Sequence, residues 1–525
     1  PQPSGADAGS DEALDSGAGA DGGDATADGG PAYRRIVSIA VAPSTLALRP
    51  GALSGVTATA AFDDGSSADV TGTVTWSASP AGVVSVTVPS VTDNLAKVEA
   101  LAVGQTQLTA KTGNITSTAC AVTVTANSVS DAGVPFTEVR AVWVTRFAYN
   151  TQAQVKAIID QAAAAGFNVV YFQIRGNGDA YYQSSLVPWA KKLSGVLGKD
   201  PGWDPLQTAI DQAHLRGIEL HAYWNVFSAW PTPTGCATGA GCTCQPTQGL
   251  ADSCALPEAV PAGKPEHFLR THPEAMAVTL AGKSTDTEYY WFSPGNPAVK
   301  AHLVAAATEL LTNYAVDGLH FDRVRYPGPG YSYDAASQAA FAALPAPKPT
   351  HDEWQRAQVS DVVAQIYAQL KAKRPNAVLS ASVWGIYKPL TGCNTSKGYA
   401  DYFQDSVGWM KAGQIDAIAP MIYWDIGSGC TDWAKLLDGF MAGSNGRQVV
   451  AGMHALDNSV PQPSKMKARI EYARKVGAAG TTIFASTYLN QTPQGGAAGS
   501  TTWPTFRADA GPYAEDAGTP PITWR

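Results

Sequence analysis

At 525 residues the chain exceeds what one ordinary core organises and suits two or three domains. Apolar residues make up 45% and charged residues 15%, and no run reaches the roughly 18 uncharged apolar residues of a membrane helix, so a soluble multidomain body is expected. The formal charge of −8 is concentrated at the front: Asp7, Asp11, Glu12, Asp15, Asp21, Asp24 and Asp28 precede the first basic residue, Arg34. The remainder is near neutral and lacks the basic field that nucleic-acid binding requires.

Residues 1–34 are almost entirely Gly, Ala, Asp and Ser. They cannot bury enough apolar area to offset the entropy of ordering, and read as a disordered acidic tether. No apolar leader precedes them, which points to a chain that starts after a processing point. Anchoring through a lipid further upstream and a plain disordered tail are the two readings.

Residues 35–126 change to short alternating runs rich in Val and Thr: IVSIAVAP, LSGVTATAAF, GTVTWSAS, VVSVTV, AKVEAL, TQLTAKT and TACAVTV. Turn signals such as Arg49-Pro50-Gly51 and Asp63-Asp64-Gly65 separate them, and seven strands of this kind predict an antiparallel β-sandwich. The succession SIAVAP, FDDGSSADVTGTVTWSAS and LAVGQTQLTAKTGN resembles the bacterial immunoglobulin-like domain of group two, which implies a spacer or adhesion module. Trp76 is expected between the sheets, and Cys120 as a small buried hydrophobe.

After a link at 127–136, strands alternate with helices through 137–525. The predicted strands are 139–145, 168–175, 218–227, 316–324, 378–384, 416–425, 448–456 and 481–487. Between them apolar residues recur at helical spacing, as in Val155, Ile158, Ile159 and Ala162. Asn296-Pro297 opens one helix, and Gly166, Gly217 and Gly480 are each expected to close one. Eight such units predict a (β/α)8 barrel, with a doubly wound open sheet as the alternative. No Gly-rich dinucleotide fingerprint follows the first strand, and no cofactor is expected.

Cys236, Cys242, Cys244 and Cys254 share one Gly/Pro/Thr-rich insertion, whereas Cys393 and Cys430 follow the fifth and sixth strands and would meet on one rim. Cys-Thr-Cys lacks the spacer of a zinc knuckle, so disulfides are favoured over a metal site, and with them a secreted or cell-envelope location.

In a barrel the working face lies at the C-terminal strand ends. Period-two alternation points His320 and Asp322 inward on the fourth strand, Met421, Tyr423 and Asp425 on the sixth, Glu219, His221, Tyr223 and Asn225 on the third, and Gln173 and Arg175 on the second, ahead of Asp179. Facing carboxylates in a polar pocket are the equipment for glycosidic cleavage: one protonates the leaving oxygen while the other attacks or activates water. Asp322, Asp425 and Asp179 are the candidate catalytic acids. Arg175, His221, Tyr223, Asn225, His320, Arg325, Tyr423, Trp424 and Trp384 are the candidate sugar-binding residues. Duller roles stand beside these: His320 orienting Asp322, Arg325 as a salt-bridge partner, Asp425 as a loop cap.

The run VRAVWVT, then NVVYFQIRGNGDAYYQSSLVPWAKKLSG and ELHAYWN, then WFSPGNPAVKAHL through GLHFDRVRYP, resembles the glycosyl-hydrolase-like family ten of bacterial lipoproteins and secreted proteins. The resemblance implies a barrel related to glycoside hydrolases and a substrate such as peptidoglycan strands stripped of their peptides. By motif position it marks Asp322 as the catalytic carboxylate, with Arg175, Asp179, His221 and Asn225 lining the site. No Glu follows Asp322 where chitinases keep their acid, so the second carboxylate must come from another strand. A carbohydrate-binding or adhesion protein without turnover is the alternative, and metal-dependent deacetylation through His221, His320 or His454 a weaker third.

Overall fold

The computed structural model describes residues 34–48, 53–88, 95–124, 136–232, 257–282, 284 and 288–524. The acidic tether, most of the link at 127–136 and the four clustered cysteines therefore lie outside the described residues.

The N-terminal part forms two five-stranded sheets over one core. In the first, Leu53–Phe62 pairs antiparallel with Ile36–Ala42 and with Ala96–Ala100. In the second, Gly104–Thr112 lies between Thr75–Ser79 and Cys120–Val124. Alternation builds the core: Val56 and Ala58 pack in one cluster with Leu108, Ala110, Val122 and Val124, while Thr59, Gln105 and Gln107 point to solvent. All seven predicted runs contain a strand. Thr45–Leu48, Ser67–Asp69 and Ile115–Thr116 are additional, being too short for a period of two to declare itself. Thr45–Leu48 pairs with Cys120–Val124 in parallel, so the second sheet is mixed rather than purely antiparallel. Trp76 is half-buried at the margin of this core, its indole N–H donating to the Thr71 carbonyl at 3.1 Å. Cys120 is buried, and burial raises its thiol pKa.

The second part is a closed barrel of eight parallel strands: Val139–Val144, Val169–Arg175, Glu219–Asn225, Gly318–Asp322, Val378–Trp384, Ala417–Met421, Gln448–His454 and Gly480–Phe484. Every predicted barrel strand is present, and closure excludes the open sheet. Val142, Phe172, Leu220, Phe321 and Ile418 pack outward against the helices, in one core with Val155, Ile159, Val363 and Leu370. The helix Gln152–Ala164 starts at a capping box on Thr151, and Pro297–Asn313 at Asn296, whose side chain accepts from Ala298 N–H. Gly166 and Gly217 follow helix ends with positive φ as expected. Gly480 instead opens the eighth strand, and Gly477 is the residue that follows the preceding helix, Pro463–Lys475.

The barrel interior is aromatic as well as aliphatic. His320 stacks on Tyr171 at 3.8 Å and accepts from the Trp143 indole at 2.9 Å through Nε2. Because an indole only donates, this fixes the proton on Nδ1, which donates to Ser380 Oγ at 2.7 Å. Burial holds His320 well below the ordinary histidine pKa, so the ring is neutral. Cys393 and Cys430 form a disulfide between the loops after the fifth and sixth strands. Among the described residues no helix is long and apolar enough to cross a membrane.

Candidate active site

Two cavities bracket the barrel. The larger, about 550 Å³, lies at the N-terminal strand ends around Glu219, His221 and Asp317, with Thr519, Pro520, Pro521 and Ile522 in its wall. The other, about 330 Å³, opens at the C-terminal ends, where loops rather than packing decide the lining.

Asp322 ends the fourth strand and lines this mouth. Its Oδ2 accepts from Tyr223 Oη at 2.7 Å, and its Oδ1 from the Arg323 backbone N–H at 2.6 Å. The turn is tight, since Arg323 has φ of +49°. Arg323 then reaches Glu288 at 2.6 Å and lies over the Tyr289 ring. Burial, and then the charge of Asp322, push the phenols of Tyr223 and Tyr423 well above their usual range, so both stay protonated. Tyr223 is thus a committed donor to Asp322. Replacing it with Phe is expected to leave Asp322 Oδ2 without its phenol donor and to lower stability by about 1 kcal/mol, measured by urea unfolding.

The mouth brings together four of the expected residues: Asp322, Tyr223, Asn225 and Tyr423. Asn225 is held by Gln173, whose amide donates to its Oδ1 at 3.1 Å. The other expected residues sit elsewhere. Asp425 accepts from Lys465 and Arg469 on the helix Pro463–Lys475 and is not part of the lining. Asp179 Oδ1 accepts from the Gly176 and Asn177 N–H groups at 3.3 and 2.9 Å, shaping the loop after the second strand. Arg175 is fully buried behind that loop, donating to the carbonyls of Asn225 and Val226 at 2.8 and 3.1 Å. His221 contacts Glu219 at 3.1 Å and lines the opposite cavity, and His320 is sealed in the interior. Arg325 lies among Trp291, Trp384 and Tyr402, with the Trp384 indole donating to Ser396 O, and Trp424 packs toward the helix layer. These histidines do not converge, and among the described residues no group of three His, Cys, Asp or Glu is arranged to hold a metal.

Among the described residues Asp322 is the one carboxylate in the lining, which adds Trp143, Arg146, Phe147, Ser382, Phe484 and Tyr488 to the expected set. Arg146 and Phe147 follow the first strand directly, so the rim rule used for the other strands reaches them once that strand is read two residues further.

The loop at Asn177 is braced by His267, which is fully buried. Its Nε2–H donates to Asn177 O at 2.8 Å and its Nδ1 accepts from Leu269 N–H at 3.1 Å, so both nitrogens are engaged in the neutral ring. Burial lowers its pKa to about 4. Between that value and the ordinary 6.5 the unfolded chain binds a proton that the folded chain refuses, so stability falls as pH drops through this window. The expected loss from this ring between pH 7 and pH 5 is about 2 kcal/mol. Urea unfolding at both pH values, compared with His267→Gln, checks it: the variant should lose correspondingly less on acidification.

The chain is similar in sequence to known proteins. Glycosyl hydrolase YngK of Bacillus subtilis (strain 168) is 30% identical over 296 residues, 54% of this chain and 51% of the relative. Glycosyl hydrolase DigH of Escherichia coli (strain K12) is 26% identical over 276 residues, 51% of this chain and 56% of the relative. The chain thus spans about half the length of these curated relatives. Among solved structures, the PgaB (BpsB) glycoside hydrolase domain from Bordetella bronchiseptica aligns at 14% identity with a TM-score of 0.43, covering 66% of this chain and 94% of that one. At that score the likeness says nothing of activity, and the fold rests on the closed strand order itself. The family model described as Glycosyl hydrolase-like 10 matches residues 138–468, more than half the chain, and the protein belongs to that family.

Proposed function

We propose that the protein is an exported glycoside hydrolase acting on a bacterial cell-wall glycan, with peptide-free peptidoglycan strands as the leading substrate. One observation carries the reading: Asp322 stands at the mouth of the barrel, gripped by Tyr223 and a backbone N–H, in a pocket walled by Trp143, Tyr423, Phe484 and Tyr488. Such rings suit the apolar faces of sugars, and the carboxylate suits attack on an anomeric carbon or activation of water. The named relatives are glycosyl hydrolases, which supports the reaction class.

The second carboxylate is sought among three rim acids. Asp179 spends Oδ1 on a loop and Asp425 both oxygens on two cations, whereas Glu288 joins the Asp322 turn through Arg323. The Cys393–Cys430 disulfide accords with an oxidising compartment, and the two N-terminal sheets with an immunoglobulin-like spacer. Incubation with peptide-free strands and with chitooligosaccharides, followed by reducing-end analysis, tests the reading; new ends are expected from wild type. Binding without cleavage would instead favour a carbohydrate-binding protein, the reading that a single lining carboxylate supports.

A further inference from the structure

Arg146 is 5% exposed yet lines the mouth beside Asp322. Its Nη2 donates to Asn177 Oδ1 and Tyr289 Oη, both at 3.3 Å, and its guanidinium lies 4.3 Å from the centre of the Phe147 ring. These partners are neutral. Three other mostly buried guanidinium groups have a carboxylate: Arg140 holds Glu138, Arg469 holds Asp425, and Arg323 holds Glu288. Arg175, which also lacks one, faces backbone carbonyls instead of the mouth. Among the described residues no carboxylate lies within ion-pair distance of Arg146. Asp179, whose charge bears on it, has turned Oδ1 to the Gly176 and Asn177 N–H groups.

A guanidinium in the pocket wall with only neutral hydrogen-bond partners and no carboxylate in ion-pair distance offers its charge to an anionic ligand. Arg146 stays charged: burial pulls its pKa down, but Tyr289 and Asp179 outweigh this and raise it. Beside it Phe147 is 65% exposed, a free aromatic face on the same rim. Guanidinium and carboxylate match in planar, two-point geometry.

We propose that Arg146 binds the carboxylate of an acidic sugar, with Phe147 as the stacking face for its ring and Asp322 at the glycosidic bond. The inference deepens the saccharide reading above and rests on it. The shared chemistry is a hexose bearing a free carboxylate, which either a lactyl ether on a peptide-free muramic residue or a uronic acid provides. Attaching a peptide to the lactyl group turns that carboxylate into a neutral amide and removes the charge Arg146 would read.

The test is calorimetric binding to the full-length Asp322→Asn protein, which holds substrate without turning it over. The probes are peptide-free peptidoglycan strands, oligogalacturonate, its methyl ester and chitooligosaccharides of equal length. At least one acidic probe is expected to bind tenfold or more tighter than the neutral ones, with a preference that fades at high salt. Tighter binding of the peptide-free strands assigns the lactyl carboxylate, and tighter binding of oligogalacturonate the uronate. Adding Arg146→Gln should cost the acidic probe at least tenfold more than it costs the neutral one, and Arg146→Lys should restore part of the difference. Equal affinity for acidic and neutral probes, no binding of any probe, or equal losses in Arg146→Gln overturns the proposal. If the glutamine variant does not fold, the ester comparison and salt dependence in the Asp322→Asn protein decide it alone. Cleavage by wild type is read separately, so acid-selective binding without new reducing ends sinks the hydrolase reading and leaves this one standing.

Discussion

Asp322→Asn is expected to lower hydrolysis by roughly 10³-fold or more while saccharide affinity changes only a few-fold. Asparagine keeps the shape of the side chain: its Oδ1 can still accept from the Arg323 N–H, while its amide takes the place of Oδ2 and donates to Tyr223 Oη, reversing that bond. What it removes is the negative charge and the lone pair that would attack carbon or take a proton from water. The effect should fall on kcat, because the aromatic wall proposed to hold the sugar is untouched. Reducing-end assays give kcat, calorimetry gives affinity, and a thermal melt matching wild type shows that the fold survives. Retention of a tenth of wild-type activity would remove Asp322 from the chemistry.

Gly480→Ala should destabilise the barrel by about 4 kcal/mol or more, lowering the melting temperature by roughly 5 °C. Gly480 begins the eighth strand opposite Val139 in the first, at the seam where the barrel closes. A Cβ there would lie 1.9 Å from the Val139 carbonyl oxygen and 2.6 Å from its carbonyl carbon. Both are backbone atoms that no rotamer change can move, so the seam itself must open. Gly477, three residues earlier, is the control: its φ of +74° disfavours alanine, but no atom lies within 4 Å of the added carbon. Gly477→Ala should therefore cost only about 1 kcal/mol, the ordinary penalty for a left-handed residue. A Gly480→Ala protein melting within 2 °C of wild type would contradict the close approach.

The two variants also separate what is local from what is not. Gly477 and Gly480 look alike in sequence, each a glycine between a helix and a strand, and the expected helix stop fell on the wrong one. Conformational freedom is needed at one position and close approach at the other, and only the register between the first and last strands distinguishes them. The rim acids behave similarly. Alternation along one strand pointed Asp322 and Tyr223 inward, because a period of two is a property of the strand alone. Asp425 follows the same alternation past its strand, which ends at Met421, but is claimed by Lys465 and Arg469, some forty residues away in the chain.

From the amino-acid sequence alone follow the eight barrel strands, the outward apolar rows, the seven longer runs of the N-terminal sheets, the meeting of Cys393 with Cys430, and Asp322 at a strand end. All of these depend on short-range periodicity and on the order of elements, which local sterics and hydrophobic burial dictate. Tertiary structure decided the parallel pairing of Thr45–Leu48 and the burial of His221 and His320 away from the mouth. It also decided the arrival of Arg146 and Phe147 beside Asp322, and the capture of Asp179 and Asp425 by other partners. Ion pairs and loop positions carry no period in the chain, since their energy comes from groups that meet only after the barrel has closed.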